Sequence, residues 1–461
     1  MSSGTLPELS SFLIFHGTFI HSINPQEVDF VLNGLIVVSP VGKIILLRRN
    51  VGRANVEHHL KTLPEISSDV ESLPIRFLKH GEFLVPGFID THNHAPQWLQ
   101  RGTGRGLQLM DWLNKVTFPH ESKFENPDYA RKMYASCVDG FLQQGVTTAA
   151  YYGSLHGEAT KILADICLAK GQRALVGKCN MVRNAPDFYC DKSNQESVEV
   201  TEEFIAHVKK IDPTAQLVQP ILTPRFAICC DEELLDGIGQ IAAREKEIMI
   251  QTHFNETKQE VSFTKELFPQ FDNEADLYEH FGLFNNRTIM AHCIYPTEYE
   301  IGKLKALDVG VAHCPVSTTT GGEWSAAPIR KYLDLGLKVG LGTDSGGGFS
   351  SSILDAARQA YITSLGKELL TDGKYKALSL NECFYLATLG GAKVCNLEHK
   401  IGTFEVGKEF DALEISTLLE KTQCTPVEDD DSMETIFEKF LMTGDDRNIV
   451  QVFVRGRSVK A

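Results

Sequence analysis

The sequence has no stretch approaching the ~18 consecutive apolar residues that a bilayer span requires, and no basic-then-apolar leader over residues 1–11. Neither insertion into a membrane nor export across one is therefore expected, and the cytoplasm is the expected compartment. Positive charge is also scarce: 45 Lys and Arg stand against 60 Asp and Glu, a net charge of -15, and no Lys/Arg cluster offsets it locally. Such a surface repels a phosphate backbone, so nucleic acid is not an expected partner. Cys-x-x-Cys pairs are missing too. The 11 cysteines are scattered, with only Cys229 and Cys230 adjacent, and an odd number cannot all pair internally. They read as reduced, mostly buried thiols. Cys293 and Cys314 each follow a histidine and are taken as packing residues.

What is present is the balance of a soluble globular enzyme: 461 residues, 43% hydrophobic and 23% charged, enough to bury a large core. The opening segment has short β-type runs at 12–15, 29–38 and 43–47, separated by Pro40 and Gly42. Residues 51–73 are polar and irregular, with Ser67, Ser68 and Asp69 in sequence, and a weakly ordered surface insertion is expected there. From residue 83 the pattern changes to short apolar runs alternating with stretches of helical period. The runs are 83–89, 146–151, 174–178, 215–222, 248–252, 288–291, 309–312 and 339–342. Eight such units predict an α/β fold, a closed (β/α)8 TIM-type barrel, over 83–402. Further β-rich runs at 410–415 and 449–454 predict that residues 403–461 join residues 1–82 in a small composite β-sandwich domain built from both chain ends. The acidic run 428–431 reads as a solvated loop.

In such a barrel the reactive groups sit where strands end. The first run ends in Pro86-Gly87-Phe88-Ile89-Asp90-Thr91-His92-Asn93-His94, and on a strand His92 and His94 project from one face. His253, His292 and Asp344 terminate three later runs in the same way. Imidazole nitrogens with a carboxylate suit a zinc or iron ion better than magnesium, and an ion so held acidifies a water, making hydroxide available near neutral pH. Glu256, three residues after His253, is placed to carry protons, protonating a ring nitrogen and then the leaving amine.

These strand ends, Pro86-Gly87-x-x-Asp90-x-His92-x-His94, His253-x-x-Glu256, His292 and Gly342-Thr343-Asp344, resemble the amidohydrolase superfamily, in particular its purine and pyrimidine deaminases. The closing Gly407-Lys408-Glu409-Phe410-Asp411-Ala412 is similar to that family's return into its β-domain. The resemblance implies that His92, His94, His253 and Asp344 hold one Zn2+ per subunit, with Fe2+ as the alternative. It also implies that His292 and Asp344 orient and deprotonate the attacking water while Glu256 shuttles protons. No lysine stands at a strand end in position to be carboxylated and bridge two metals, which favours a single ion.

Within that branch, Ala95-Pro96-Gln97, Asp111-Trp112-Leu113, Thr117-Phe118-Pro119, Pro224-Arg225-Phe226, the segment 386–391 and the segment 444–448 resemble the members that deaminate guanine to xanthine and ammonia. Guanine presents a carbonyl and ring nitrogens that an amide and a guanidinium can read. Gln97 and Arg225 are the expected readers, Phe226 is a candidate stacking platform, and His94, His253 and Asp344 border the same substrate. A homodimer is implied by the resemblance alone. The sequence departs from the family at Thr318, where asparagine is usual after His313-Cys314-Pro315-Val316-Ser317, and an amide is lost there. His313 is expected in the pocket wall. Two other readings stay open: an aminohydrolase acting on another purine, a pterin, cytosine or a triazine with the same metal chemistry, and a non-catalytic scaffold on the same barrel.

Overall fold

The computed structural model describes residue 9, residues 11–66, residue 70, residues 73–321 and residues 324–460. Ser67, Ser68 and Asp69 of the polar run, and most of the N-terminal stretch read above, lie outside the described residues.

Eight parallel strands stand side by side in chain order: Phe88–His94, Val146–Tyr152, Arg173–Gly177, Val218–Pro224, Met249–Phe254, Thr288–His292, Gly310–His313 and Lys338–Leu341. Between the last and first strands, Thr91 Oγ1 donates to the Leu341 carbonyl at 2.8 Å and the Asp344 N–H donates to the His92 carbonyl at 2.9 Å. These bonds close the ring. Nearly every strand residue is buried, because one face looks into the barrel and the other is covered by helices. The barrel interior is filled by Ile89, Ala150, Leu175, Ile221, Met249, Ile289 and Ala312, one from each of seven strands, and Ala392, Val394 and Leu397 pack against the same cluster. The covering helices begin on side-chain caps, such as Asn126 ahead of Pro127–Gln143 and the Thr297/Glu300 capping box ahead of Glu298–Ala306.

The second sheet has eight strands drawn from both chain ends. Glu82–Pro86 lies antiparallel to Ala412–Ser416, which pairs in turn with Ile449–Val454, while Leu13–Ser22 joins Val28–Val38 and Ile44–Arg48 on the other side. Arg173, on the third barrel strand, ties the two bodies together. Its guanidinium donates to Asp411 at 3.0 Å in the interior, and to Glu409 at 2.6 Å and the Gln216 carbonyl at 2.8 Å where the pair is partly buried.

Three local expectations need correction. The apolar run 83–89 is two strands: Gly87 divides Glu82–Pro86, in the composite sheet, from Phe88–His94, in the barrel. A Cβ at Gly87 would stand 2.1 Å from Thr147 Oγ1, so the chain can pass between the sheets only with glycine at that point. The run 215–222 starts as a turn, with Ala215 at φ +49° and the Asp212 carboxylate accepting from the N–H groups of Gln216, Leu217 and Val218. The strand itself is Val218–Pro224. Finally, the segment after residue 50 is ordered where described: Val51, Val56, Leu60, Ile66 and Val70 are buried against Ile14, Leu35, Val37 and Leu46, with Val56–Leu60 forming a short helix. In that helix only Val56 and Leu60 are buried, one turn apart, and the polar and charged residues around them hide that short signal.

Candidate metal centre and active site

The expected metal-binding side chains converge at the C-terminal mouth of the barrel. Alternation along the first strand puts His92 and His94 on one side, with their ring centroids 5.0 Å apart. His92 Nε2 and His94 Nε2 each lie 3.6 Å from Asp344 Oδ1, and His94 Nε2 lies 3.2 Å from His253 Nε2. Two overlapping triads result, His92/His253/His292 and His92/His94/Asp344, each with donor atoms within 4.8 Å of one another. His292 thus stands as close to the cluster as the residues expected to bind the ion. The mouth also gathers non-glycine residues in the left-handed region, Asn255 at φ +50°, His292 at φ +73° and Asp344 at φ +45°, a conformation that tertiary structure must hold in place.

The donor set fits a divalent cation on its own chemistry. Atoms each about 2.1 Å from one ion lie roughly 3 to 3.5 Å from one another, close to the separations seen here. Both ring nitrogens of His92 and of His292 are buried without a hydrogen-bond partner among the described residues, an expensive state unless something else uses them. The Nδ1 of His253 is 2.6 Å from the Arg225 carbonyl, to which it donates, so its Nε2 presents a lone pair to the cluster. Burial lowers the pKa of His92, His94 and His253, favouring the neutral ligand form. Burial opposes the Asp344 charge, but the imidazoles around it, His92 foremost with His292 and His94, outweigh it and hold the carboxyl well below its usual range.

Asp90, quoted in the motif but given no role from sequence, clamps this mouth. Its Oδ1 accepts from the N–H groups of His92 (3.2 Å) and Thr343 (3.0 Å), and its Oδ2 from Asn93 Nδ2 (3.2 Å) and Thr343 Oγ1 (2.6 Å). One carboxylate thereby fixes the ends of the first and last strands, and with them His92 and Asp344. Tyr152, ending the second strand, packs its ring against His92, His94 and His253 at centroid distances of 4.6–5.0 Å.

Two adjoining chambers open over the cluster. The inner one, about 330 Å³, is lined by His94, Gln97, Arg225, Phe226, His253, Glu256, His292 and Asp344. The outer, about 700 Å³, shares Leu109, Trp112, Glu256 and Asp344 with it. Glu256 Oε1 lies 3.7 Å from His292 Nε2, and burial, reinforced by the charge of Asp344, pushes its carboxyl up to about 8. Phe226 presents a buried ring tilted 64° to that of His253. Gln97 and Arg225 meet through a residue the sequence reading passed over, the fully buried Glu121, which accepts from Gln97 Nε2 at 2.8 Å and Arg225 Nη1 at 2.8 Å. No local signal marked it: Glu121 stands among His120, Ser122 and Lys123, a polar setting that reads as surface.

His313 is buried and belongs to neither triad. Thr318 turns its hydroxyl back to the Cys314 carbonyl at 3.1 Å and lines the outer chamber. The Cys293 and Cys314 thiols contact the Met290 and Ala312 carbonyls, and burial pushes both well above the usual thiol range. Lys178, after the third strand, is engaged by Asp191 at 2.5 and 2.7 Å and by Ser197 at 3.2 Å, so its amine is committed.

A profile described as Amidohydrolase family matches residues 83–459. The chain belongs to the amidohydrolase family. Among relatives of this amidohydrolase, the guanine deaminase of Dictyostelium discoideum is 39% identical over 452 residues, covering 97% of this chain and 98% of that protein. The guanine deaminase of Homo sapiens is 36% identical over 467 residues, covering 100% and 98%. A crystal structure of the guanine deaminase from C. acetobutylicum with guanine bound in its active site superposes with a TM-score of 0.86 at 33% identity, over 97% of this chain and all of that one. Members of the amidohydrolase family are metal-dependent, and the His/Asp cluster is a potential site for such an ion.

Proposed function

We propose that this amidohydrolase is a guanine deaminase, replacing the 2-amino group of guanine by oxygen from water to give xanthine and ammonia. The observation that carries the reading is the inner chamber: Gln97 and Arg225, joined by Glu121, line the same space as Glu256 and the His/Asp cluster. The similarity over nearly full length to proteins named guanine deaminase supports it.

His92, His94, His253 and Asp344 would hold one ion, zinc by preference and ferrous iron as the alternative. When bound, such an ion supplies Lewis acidity that brings the pKa of a water toward neutrality. Asp344 and His292 Nε2 orient the attacking water and take its proton. Glu256 Oε1, protonated because burial raises its pKa, gives its proton to a ring nitrogen as C2 is attacked; the carboxylate so formed takes the hydroxyl proton of the adduct and passes it to the departing amine, and the proton held by Asp344 and His292 then restores the acid form of Glu256. Arg225 donates to the purine carbonyl, Gln97 reads the neighbouring edge, and Phe226 walls the chamber against water. Replacing Arg225 by Met or Gln97 by Ala should lower kcat/KM for guanine about a hundredfold or more while bound metal stays at one equivalent. Indifference of guanine turnover to both changes would count against guanine as substrate.

Cytoplasmic residence is supported by 11 free cysteines, ten of them buried, and no helix among the described residues is long and apolar enough to cross a membrane. Assembly as a homodimer is supported by an exposed apolar stripe, Ile362, Leu365, Leu369 and Leu370 on the helix Ile353–Leu370, with Trp324. Sedimentation as a monomer at micromolar concentration would contradict it.

A further inference from the structure

We propose that Glu121 is a positioning residue that fixes the hydrogen-bonding face at the Gln97/Arg225 end of the chamber and cancels the charge of Arg225 there, so that a neutral purine is held and an anionic product gains nothing from the guanidinium. The inference rests on the guanine reading above and adds to it a residue that does not itself touch the base.

Glu121 closes the short helix Phe118–Glu121 and is fully buried. Its Oε1 accepts from Gln97 Nε2 at 2.8 Å and Arg225 Nη2 at 3.3 Å, and its Oε2 from Arg225 Nη1 at 2.8 Å. A carboxylate only accepts, so the NH2 of Gln97 must face it. The Gln97 Oε1 is then turned the other way, where Gln100 Nε2 donates to it at 3.2 Å, and Gln100 is itself held by Thr117 Oγ1 at 3.0 Å. The amide cannot flip without losing both bonds, and the chamber keeps one arrangement of donors and acceptors.

Charge is the second consequence. The Arg225 side chain is 3% exposed and that of Glu121 1%. Removing one partner of such a pair strands the other charge in a low-dielectric site. Of the other titratable groups around Glu121, burial raises the Cys179 thiol and the Tyr134 and Tyr189 phenols and lowers the His156 imidazole, which keeps them uncharged near neutral pH, while Lys178 and Asp191 form an ion pair of their own and Glu125 lies at the exposed end of its turn. Glu121 thus cancels Arg225 alone, leaving donors without net positive charge. Xanthine has an N–H flanked by two carbonyls where guanine has one carbonyl and an amine, and it is the stronger acid of the two. A neutral pair gives the xanthine anion no Coulombic gain, whereas an uncompensated guanidinium would retain it.

The test is Glu121→Gln, an isosteric change, assayed beside the wild type on guanine with xanthine as inhibitor between about pH 7 and about pH 9. The expected result is a guanine KM raised about tenfold or more with a smaller change in kcat, and xanthine inhibition that tightens about tenfold with rising pH in the variant relative to the wild type. Glu121→Asp should restore part of the KM. A variant that melts and binds metal as the wild type does, with guanine KM and xanthine inhibition within about twofold of it at every pH, would overturn the inference. If Glu121→Gln fails to fold, the double variant Glu121→Met/Arg225→Met decides. It should show a raised guanine KM and no pH-linked gain in xanthine binding relative to the wild type, and such a gain would overturn the inference. Lack of guanine turnover by the wild type would remove the functional reading and this inference with it, whereas wild-type turnover with an unchanged variant would remove this inference alone.

Discussion

The proposed role of Glu256 as proton carrier rests on what its place does to a common side chain. Burial and the nearby Asp344 charge push its carboxyl up to about 8, so it holds its proton through neutrality and loses it as pH rises through that value. Since the acid form is the one required, kcat/KM should fall on the alkaline side above about pH 8, as a pH–rate profile would record. Glu256→Gln should lower kcat by roughly a hundredfold to ten-thousandfold with guanine binding retained. A variant with near-wild-type kcat would remove Glu256 from the mechanism. The residue and the histidines were legible in the sequence because each ends or follows a short apolar run, and the barrel turns strand ends into neighbours. Glu121 was not, because it lies 24 residues from Gln97 and 104 from Arg225, and no local pattern predicts a contact over such separations.

At the level of elements, the first and last barrel strands meet through Asp90, which holds His92 on one and Thr343 on the other. Asp90→Asn puts an amide donor where a carboxylate now accepts from N–H and O–H groups on both sides. Metal affinity should fall about tenfold to a hundredfold, measured by competition with a chromogenic chelator, while the fold persists. Unchanged affinity would show that the clamp does not position the ligands. Element boundaries were less legible than element order. Residues 83–89 form one unbroken apolar run, and only the Thr147 side chain against Gly87 reveals that the run serves two sheets. Likewise, the helix Val56–Leu60 is defined by what it covers, Ile14, Leu35 and Val37, which lie far from it in sequence.

Across the whole molecule, the barrel and the composite sheet are joined by the buried Arg173 with Glu409 and Asp411. Arg173→Met would leave two carboxylates without their cation, a loss of about 3–5 kcal/mol by analogy with other broken buried pairs. A large drop in melting temperature is expected, and an unchanged one would mean that apolar contacts alone hold the sheet in place. The architecture was readable from alternating run lengths, since a parallel barrel imposes that rhythm on any sequence that forms it. The measurement that bears most directly on the central claim is ammonia release from guanine by the purified protein, with adenine and cytosine in parallel and a chelator-treated sample restored by added zinc. Release from guanine alone, abolished by the chelator and recovered with the metal, is the expected result. Inert guanine beside turnover of another base would leave the barrel and the metal site standing and contradict the assignment of Gln97 and Arg225 as readers of guanine.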